Sequence, residues 1–278
     1  VYIVFQTGYV SSHHWVDDIV LLNRFGTDYF KRILLIFVFM IKKFLLVVLF
    51  AGLTHFVSFS QSHELRLGIT SGVSNFTGSG SDAKSPLNGA SQQEYYTNNP
   101  YGKKYGINLG GALNYRYVFA NNVILGLEGA FERLQTKIDL QGNEFINGSR
   151  GQTKLNQQFV NFNPFVGYRV GFEPMTMDIQ IGMDLSKTLS IKESGSIEDK
   201  QGNKTSFDRD RGKVIDVDIR PRLQFNVNYE RYTVFAGYSW GLKDYNNGLL
   251  GADPGAARLN VFRLGLQYQL LTPIFRND

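Results

Sequence analysis

Two sets of carboxylates could do chemistry: Glu128 with Glu132, and Asp216 with Asp218. Side chains two or four residues apart fall on one face of a β-strand, because successive side chains alternate. Two acids on one face can divide acid and base roles if their surroundings push their pKa values apart. Here Arg220 and Arg222 follow Asp216 and Asp218 on the same parity, so charge pairing is the expected use. A histidine is the commonest partner for proton transfer or an activated nucleophile, and His63 is the only one after residue 60. There is no Cys, which removes thiolate nucleophiles, disulfides and thiolate metal sites. Asp199-Lys-Gln-Gly-Asn-Lys-Thr, with Asp208 and Asp210, has the composition of a calcium loop, but its Gly falls at the wrong position. A solvated charged loop is expected there. No catalytic residue, no metal and no cofactor is expected.

The elements that carry these residues are long strands. In Gly212–Asn228, Ile215, Val217, Ile219, Leu223, Phe225 and Val227 share one parity, and Asp216, Asp218, Arg220, Arg222, Gln224 and Asn226 the other. A period of two over that length predicts a β-strand with one apolar and one polar face. After a short turn, Tyr232, Val234, Ala236, Tyr238 and Trp240 repeat the pattern. The same alternation recurs over Glu64–Phe76, Lys104–Tyr117, Val123–Ile138, Leu155–Val170, Thr176–Ile191 and Arg258–Leu270. Connections alternate between long and short: Thr77–Lys103, Asp139–Thr153, Lys192–Arg211 and Asn246–Ala256 are long and polar, and Phe119–Asn122 and Gly171–Pro174 are tight turns. Eight strands with all long loops on one end and short turns on the other predict an all-β, eight-stranded antiparallel transmembrane β-barrel.

Alternation alone does not say which face is outside, since a soluble lipocalin-like barrel would turn the apolar parity inward. Two observations favour the lipid-facing arrangement. Aromatics with polar tips cluster near strand ends on the apolar parity: Tyr105, Tyr115, Tyr117, Tyr168, Tyr232, Tyr238, Trp240 and Tyr268. These suit the two membrane interfaces. The polar parity is rich in glycine, which weakens a strand but makes room in a narrow lumen. On this assignment the lumen holds Arg66, Lys104, Arg116, Arg169, Arg220, Arg222 and Arg263, with Glu128, Glu132, Asp178, Asp184, Asp216 and Asp218. An eight-stranded barrel is only wide enough for its own side chains to fill it, so a salt-bridged plug is expected in place of a channel.

The N-terminal region reads as an address. Met40-Ile-Lys-Lys followed by the apolar run Phe44–Leu53, with Ser58 and Ser60 before Gln61, has the layout of a signal peptide. That run is short of the roughly 20 residues of a helical span, although a membrane anchor is the alternative. The expected organisation is therefore residues 1–39 as an upstream extension outside the mature protein, 40–60 as signal peptide and 61–278 as the barrel. The net charge of +5 falls to roughly +3 without residues 1–60 and is scattered, which argues against a nucleic-acid partner.

The signal segment ending Ser60-Gln61, the opening strand Glu64–Val73 (ELRLGITSGV), the Val234–Asp244 strand (VFAGYSWGLKD) and the closing Arg263–Leu270 (RLGLQYQL) together resemble the small outer-membrane β-barrel proteins of Gram-negative bacteria. They are most similar to the PorT-like branch common in Bacteroidota, with OmpA-like and OmpX-like barrels more distant. The chain departs from the habit of ending on an aromatic residue, since Leu271–Asp278 follow the last strand. The resemblance implies a monomeric, non-enzymatic protein of the outer membrane, in contact with membrane lipid and lipopolysaccharide. It would act through its loops, with Tyr95, Tyr96, Tyr101, Asn246 and Asn247 available to a protein partner, in envelope maintenance, adhesion or as a secretion accessory. A small pore or transporter, or a soluble periplasmic ligand-binding barrel, are the alternatives.

Overall fold

The computed structural model describes residues 62–89, 95–141, 150–172, 174–212, 215–247 and 255–270. The upstream extension and the signal peptide lie outside them. The described residues form eleven strands: β1 (Ser62–Thr77), β2 (Lys84–Gly89), β3 (Tyr95–Thr97), β4 (Lys104–Val118), β5 (Val123–Gln141), β6 (Arg150–Phe172), β7 (Met175–Glu198), β8 (Lys204–Asp210), β9 (Val217–Tyr229), β10 (Tyr232–Ser239) and β11 (Arg258–Gln269). Eight of them close a ring. β1 pairs with both β4 and β11, and the circuit runs through β5, β6, β7, β9 and β10, every pair antiparallel. Closure leaves no sheet edge and lets the strands satisfy their own backbone groups where lipid offers no partner.

The alternating residues set the two faces. Leu67, Ile69, Ile107, Leu109, Phe131, Phe162, Ile181 and Leu264 point outward and are exposed, while Arg66, Arg116, Glu128, Asp184 and Arg263 on the other parity are buried. This excludes the lipocalin-like alternative, which needs the apolar parity to line a cavity. Turns at one end are tight. In Phe119–Val123, Asn122 adopts φ 65°, a left-handed conformation that Asn tolerates, and its N–H donates to Phe119 O at 2.9 Å.

At the other end the strands run past the membrane. β6 and β7 contain 23 and 24 residues, about twice the roughly 9–11 that a transmembrane strand needs. Much of Asp139–Thr153 and Lys192–Arg211, expected as loops, is therefore strand. β8 continues the sheet on the free edge of β7. β2 pairs in parallel with the tip of β5 and antiparallel with β3. The result is a six-stranded crown, in the order β3, β2, β5, β6, β7, β8, standing on one side of the barrel mouth.

Candidate functional site

The lumen is filled in layers. The floor, beside the short turns, is apolar: Val118, Ile124 and Phe165. Beside and above it lies a charged layer in two linked clusters, with Arg169 nearer the short turn than Phe165 on the same strand. In the lower one Arg169 reaches Glu64 (2.7 Å) and Asp178 (2.7 Å), Arg66 pairs with Glu64 (2.8 Å), and Arg116 pairs with Asp178 (2.9 Å). In the upper one Asp184 is the hub. It meets Arg222 at 2.6 Å, Arg263 at 3.2 Å and Arg220 at 3.9 Å, and accepts hydrogen bonds from Ser239 and Asn163, both at 2.8 Å. Arg222 also pairs with Glu128 (2.7 Å), Arg263 with Glu132, and Arg220 with Asp218 (3.2 Å). Asn114 joins the clusters, accepting from Arg116 Nε at 2.8 Å and donating to Glu128 at 3.0 Å.

Six arginines thus face six carboxylates, a balance expected where an unpaired buried charge costs several kcal/mol. Each acid is already held by a guanidinium, which leaves Glu128 and Glu132 engaged as structural anions. The gap lined by Asn114, Glu128, Gln180 and Arg222 does not admit a water-sized sphere. The ceiling is apolar again, with Phe76, Tyr101, Leu134, Leu155, Phe159, Tyr245 and Leu259 in one cluster. The rings of Phe76, Tyr101 and Tyr245 pack within 4.9–5.8 Å of one another. Tyr245 donates its hydroxyl to Asp218 at 3.0 Å, so ceiling and charged layer are tied together. Burial pushes the Tyr101 hydroxyl up to about 12.

The expected lumen set needs two corrections and one addition. Lys104 lies outside. Between Tyr105 and Leu109 the β4–β5 register slips, with Gly106–Asn108 facing only Leu134 and Gln135. The bulge changes the alternation, and the Lys104 ammonium pairs with Asp139 on the outer face. That hydrogen bond holds the Asp139 carboxyl below its ordinary range. Asp216 precedes the first residue of β9 and pairs with Lys187 on the exposed surface. Glu64 is the addition. It sits at the start of the first expected strand, where parity alone would have placed it with Arg66.

The interface aromatics all lie on the outer face. Tyr115, Tyr117, Tyr168, Tyr232 and Tyr268 gather towards the short turns, and Tyr105, Tyr238 and Trp240 towards the crown. His63 belongs to the first group and to β1, with Nδ1 2.7 Å from the Tyr115 hydroxyl, on the opposite face of the strand from its neighbour Glu64.

The crown has its own interior. Leu87, Leu140, Ile197 and Phe207 form a buried cluster with Tyr95 packed on it. Beneath them Glu193 of β7 is fully buried. It accepts from the Thr97 N–H (3.1 Å), the Thr97 hydroxyl (2.6 Å) and the Thr153 hydroxyl (3.1 Å), and pairs with Arg211 at 3.3 Å. Arg211 also donates to Thr97 O at 3.1 Å, and Arg209 stacks 4.4 Å from the Tyr96 ring centroid. These contacts join β3 to β8, the two ends of the crown. Tyr101, expected as a docking residue, is instead part of the ceiling. Asp199 accepts from the N–H groups of Gln201 and Asn203 and closes the β7–β8 turn. Glu193→Gln is expected to speed protease cleavage within residues 78–103 about tenfold, since hydrogen bonds to a charged group contribute roughly 1.5–3 kcal/mol. The barrel's gel mobility should stay unchanged; equal cleavage would show that the tie is dispensable.

A closed ring of eight antiparallel strands with an apolar outer belt, aromatic girdles and a charge-paired interior defines a transmembrane β-barrel protein. The sequence matches the outer membrane protein beta-barrel domain over residues 59–247, and the chain belongs to that family. It is therefore a protein of the bacterial outer membrane. No curated protein matches it. Among solved structures it is similar to the attachment invasion locus protein Ail of Yersinia pestis, at 15% identity and a TM-score of 0.30, covering 76% of this chain and 99% of that one. It is also similar to Neisserial surface protein A, at 8% identity and a TM-score of 0.33, covering 74% and 96%. The fold assignment rests on the ring of strand pairs and the family match.

Proposed function

We propose that this chain is a sealed, non-enzymatic outer-membrane barrel that works through its crown, as an adhesion, envelope-maintenance or secretion-accessory protein of the PorT-like kind. The observation that carries this reading is the contrast between the two ends of the structure. The lumen is closed by an apolar floor, a neutralised charge layer and an apolar ceiling. The crown is a built extension: strands, a small core and the Glu193 tie hold a polar surface in one shape well outside the lipid. A segment kept only to connect spanning strands needs none of these, and ordered projecting elements are where binding residues usually sit. Residues 40–60, as a signal peptide, supply the export this location requires.

Complementation tests the reading. Cells lacking the chain would receive the full protein or one with the β7–β8 hairpin shortened by removing Ser194–Asp208. The shortened form should retain the mobility difference between boiled and unboiled samples but fail to restore the envelope, adhesion or secretion defect. Full restoration would sink the proposal. Planar bilayers separate the pore alternative: the refolded barrel is expected to give no stepwise conductance, and steady channels would favour a transporter.

A further inference from the structure

Immediately beyond the apolar belt, the outer surface differs from one side of the barrel to the other. On β4, β5 and β6 the outward residues there include Lys104, Arg133, Lys137 and Lys154, with Lys84 of β2 opposite Asp139. The register puts Lys137 directly across from Lys104 on one side and Lys154 on the other. Like charges placed opposite one another across antiparallel strands destabilise a sheet. Asp139 is engaged by Lys104 and Gln152, and Arg133 donates to Asn156 at 3.2 Å. Neither Lys137 nor Lys154 forms an ion pair among the described residues. On β7 and β8 at this end, by contrast, Lys187 pairs with Asp216, Lys204 pairs with Glu198, and Lys192 faces Asp210.

The patch is continuous with the lipid-facing surface. Arg133 is directly opposite Leu109 and one outward position beyond Phe131, and both of those side chains are exposed to lipid, as are Tyr105 and Ile107. A ligand placed here would have its apolar part against Ile107, Leu109 and Phe131 and an anionic part among Arg133, Lys137 and Lys154. We propose that the outer face of β4–β6 is a binding site for a phosphorylated lipid of the outer leaflet, with its headgroup phosphate held by Arg133, Lys137 and Lys154. A phosphate neutralises the facing lysines, and the acyl chains continue along the belt below. A soluble phosphate would match the cations but make no use of the adjoining apolar surface. The inference does not depend on what the crown binds.

Native mass spectrometry of the detergent-refolded protein tests it. Bis-phosphorylated lipid A should be retained at least tenfold more strongly than dephosphorylated lipid A, and equal retention would overturn the site without any variant. Lys137→Gln with Lys154→Gln should weaken retention roughly 30-fold, as expected for two cations near an anionic lipid surface. Lys200→Gln with Lys204→Gln, at the turn between β7 and β8, should leave it unchanged. Gel mobility before and after boiling establishes that each variant is folded. Equal losses in both variant pairs would reduce the effect to net charge and overturn the site. Complete displacement of the lipid by millimolar inorganic phosphate would make it a free-anion site and overturn the lipid assignment.

Discussion

Asp184→Ala is expected to cost the folded barrel about 3–5 kcal/mol, the scale of breaking a buried ion pair from one side. The side chain is fully buried, and Arg220, Arg222 and Arg263 converge on it. Its loss leaves Arg222 with Glu128, Arg263 with Glu132 and Arg220 with Asp218, so the clusters keep most of their pairs but carry one uncompensated positive charge. That charge is held away from water, since Arg220, Arg222 and Arg263 are all buried. Replacing Arg222 with Gln in the same molecule restores neutrality and should recover part of the loss, a coupling that a double-mutant cycle measures directly. The readout is urea unfolding of the lipid-refolded barrel, followed by the gel mobility of unboiled samples. A loss below about 1 kcal/mol would mean that water enters the lumen, and the sealed interior would have to be given up.

The second large effect is steric. Phe165 lies over Gly126, and a Cβ on that glycine would fall 2.2 Å from the ring. All three of the nearest atoms belong to the ring, so the clash is with a side chain and can be relieved by changing it. Gly126→Ala should destabilise the barrel by about 1–3 kcal/mol, the usual cost of overpacking. Phe165→Leu in the same chain should return much of that. If the single change is neutral, the ring swings aside freely and the floor is looser than its buried Val118, Ile124 and Phe165 indicate. If Phe165→Leu fails to rescue, the backbone of β5 and not the ring is the obstacle.

The spanning barrel is legible in the sequence because lipid outside and a narrow polar lumen inside impose a strict alternation. That rule places Arg116, Glu128, Asp184 and Arg263 correctly with no other information. It fails where one of its conditions lapses. At Lys104 a bulge shifts the alternation, and nothing in Lys-Tyr-Gly-Ile-Asn announces an extra residue. At Asp216 the strand has not yet begun. Beyond the membrane the outer face no longer needs to be apolar, so Arg150–Lys154 carries polar residues on both parities and looks like a loop although it is paired on both sides. Tyr101 and Tyr245 were illegible for another reason: they come from connections, and only the way those connections fold over the mouth brings their rings onto Phe76. Glu193 gives no sequence signal at all, since its partners come from connections roughly a hundred residues upstream and at the far end of its own hairpin.

The neutralised lumen has a consequence for how the barrel finds its alignment. A slip of one residue between neighbouring strands would drive charges into lipid and is forbidden at once. A slip of two keeps every apolar side chain outside. Lipid tails, being fluid and uniform, cannot tell the two arrangements apart. The lumen can: moving β11 by two positions along β1 would carry Arg263 away from Glu132 and Asp184, stranding Arg263 and Glu132 and removing one cation from around Asp184. The charge layer thus acts as a key that only one alignment of eight strands fits, checked when the last strand meets the first.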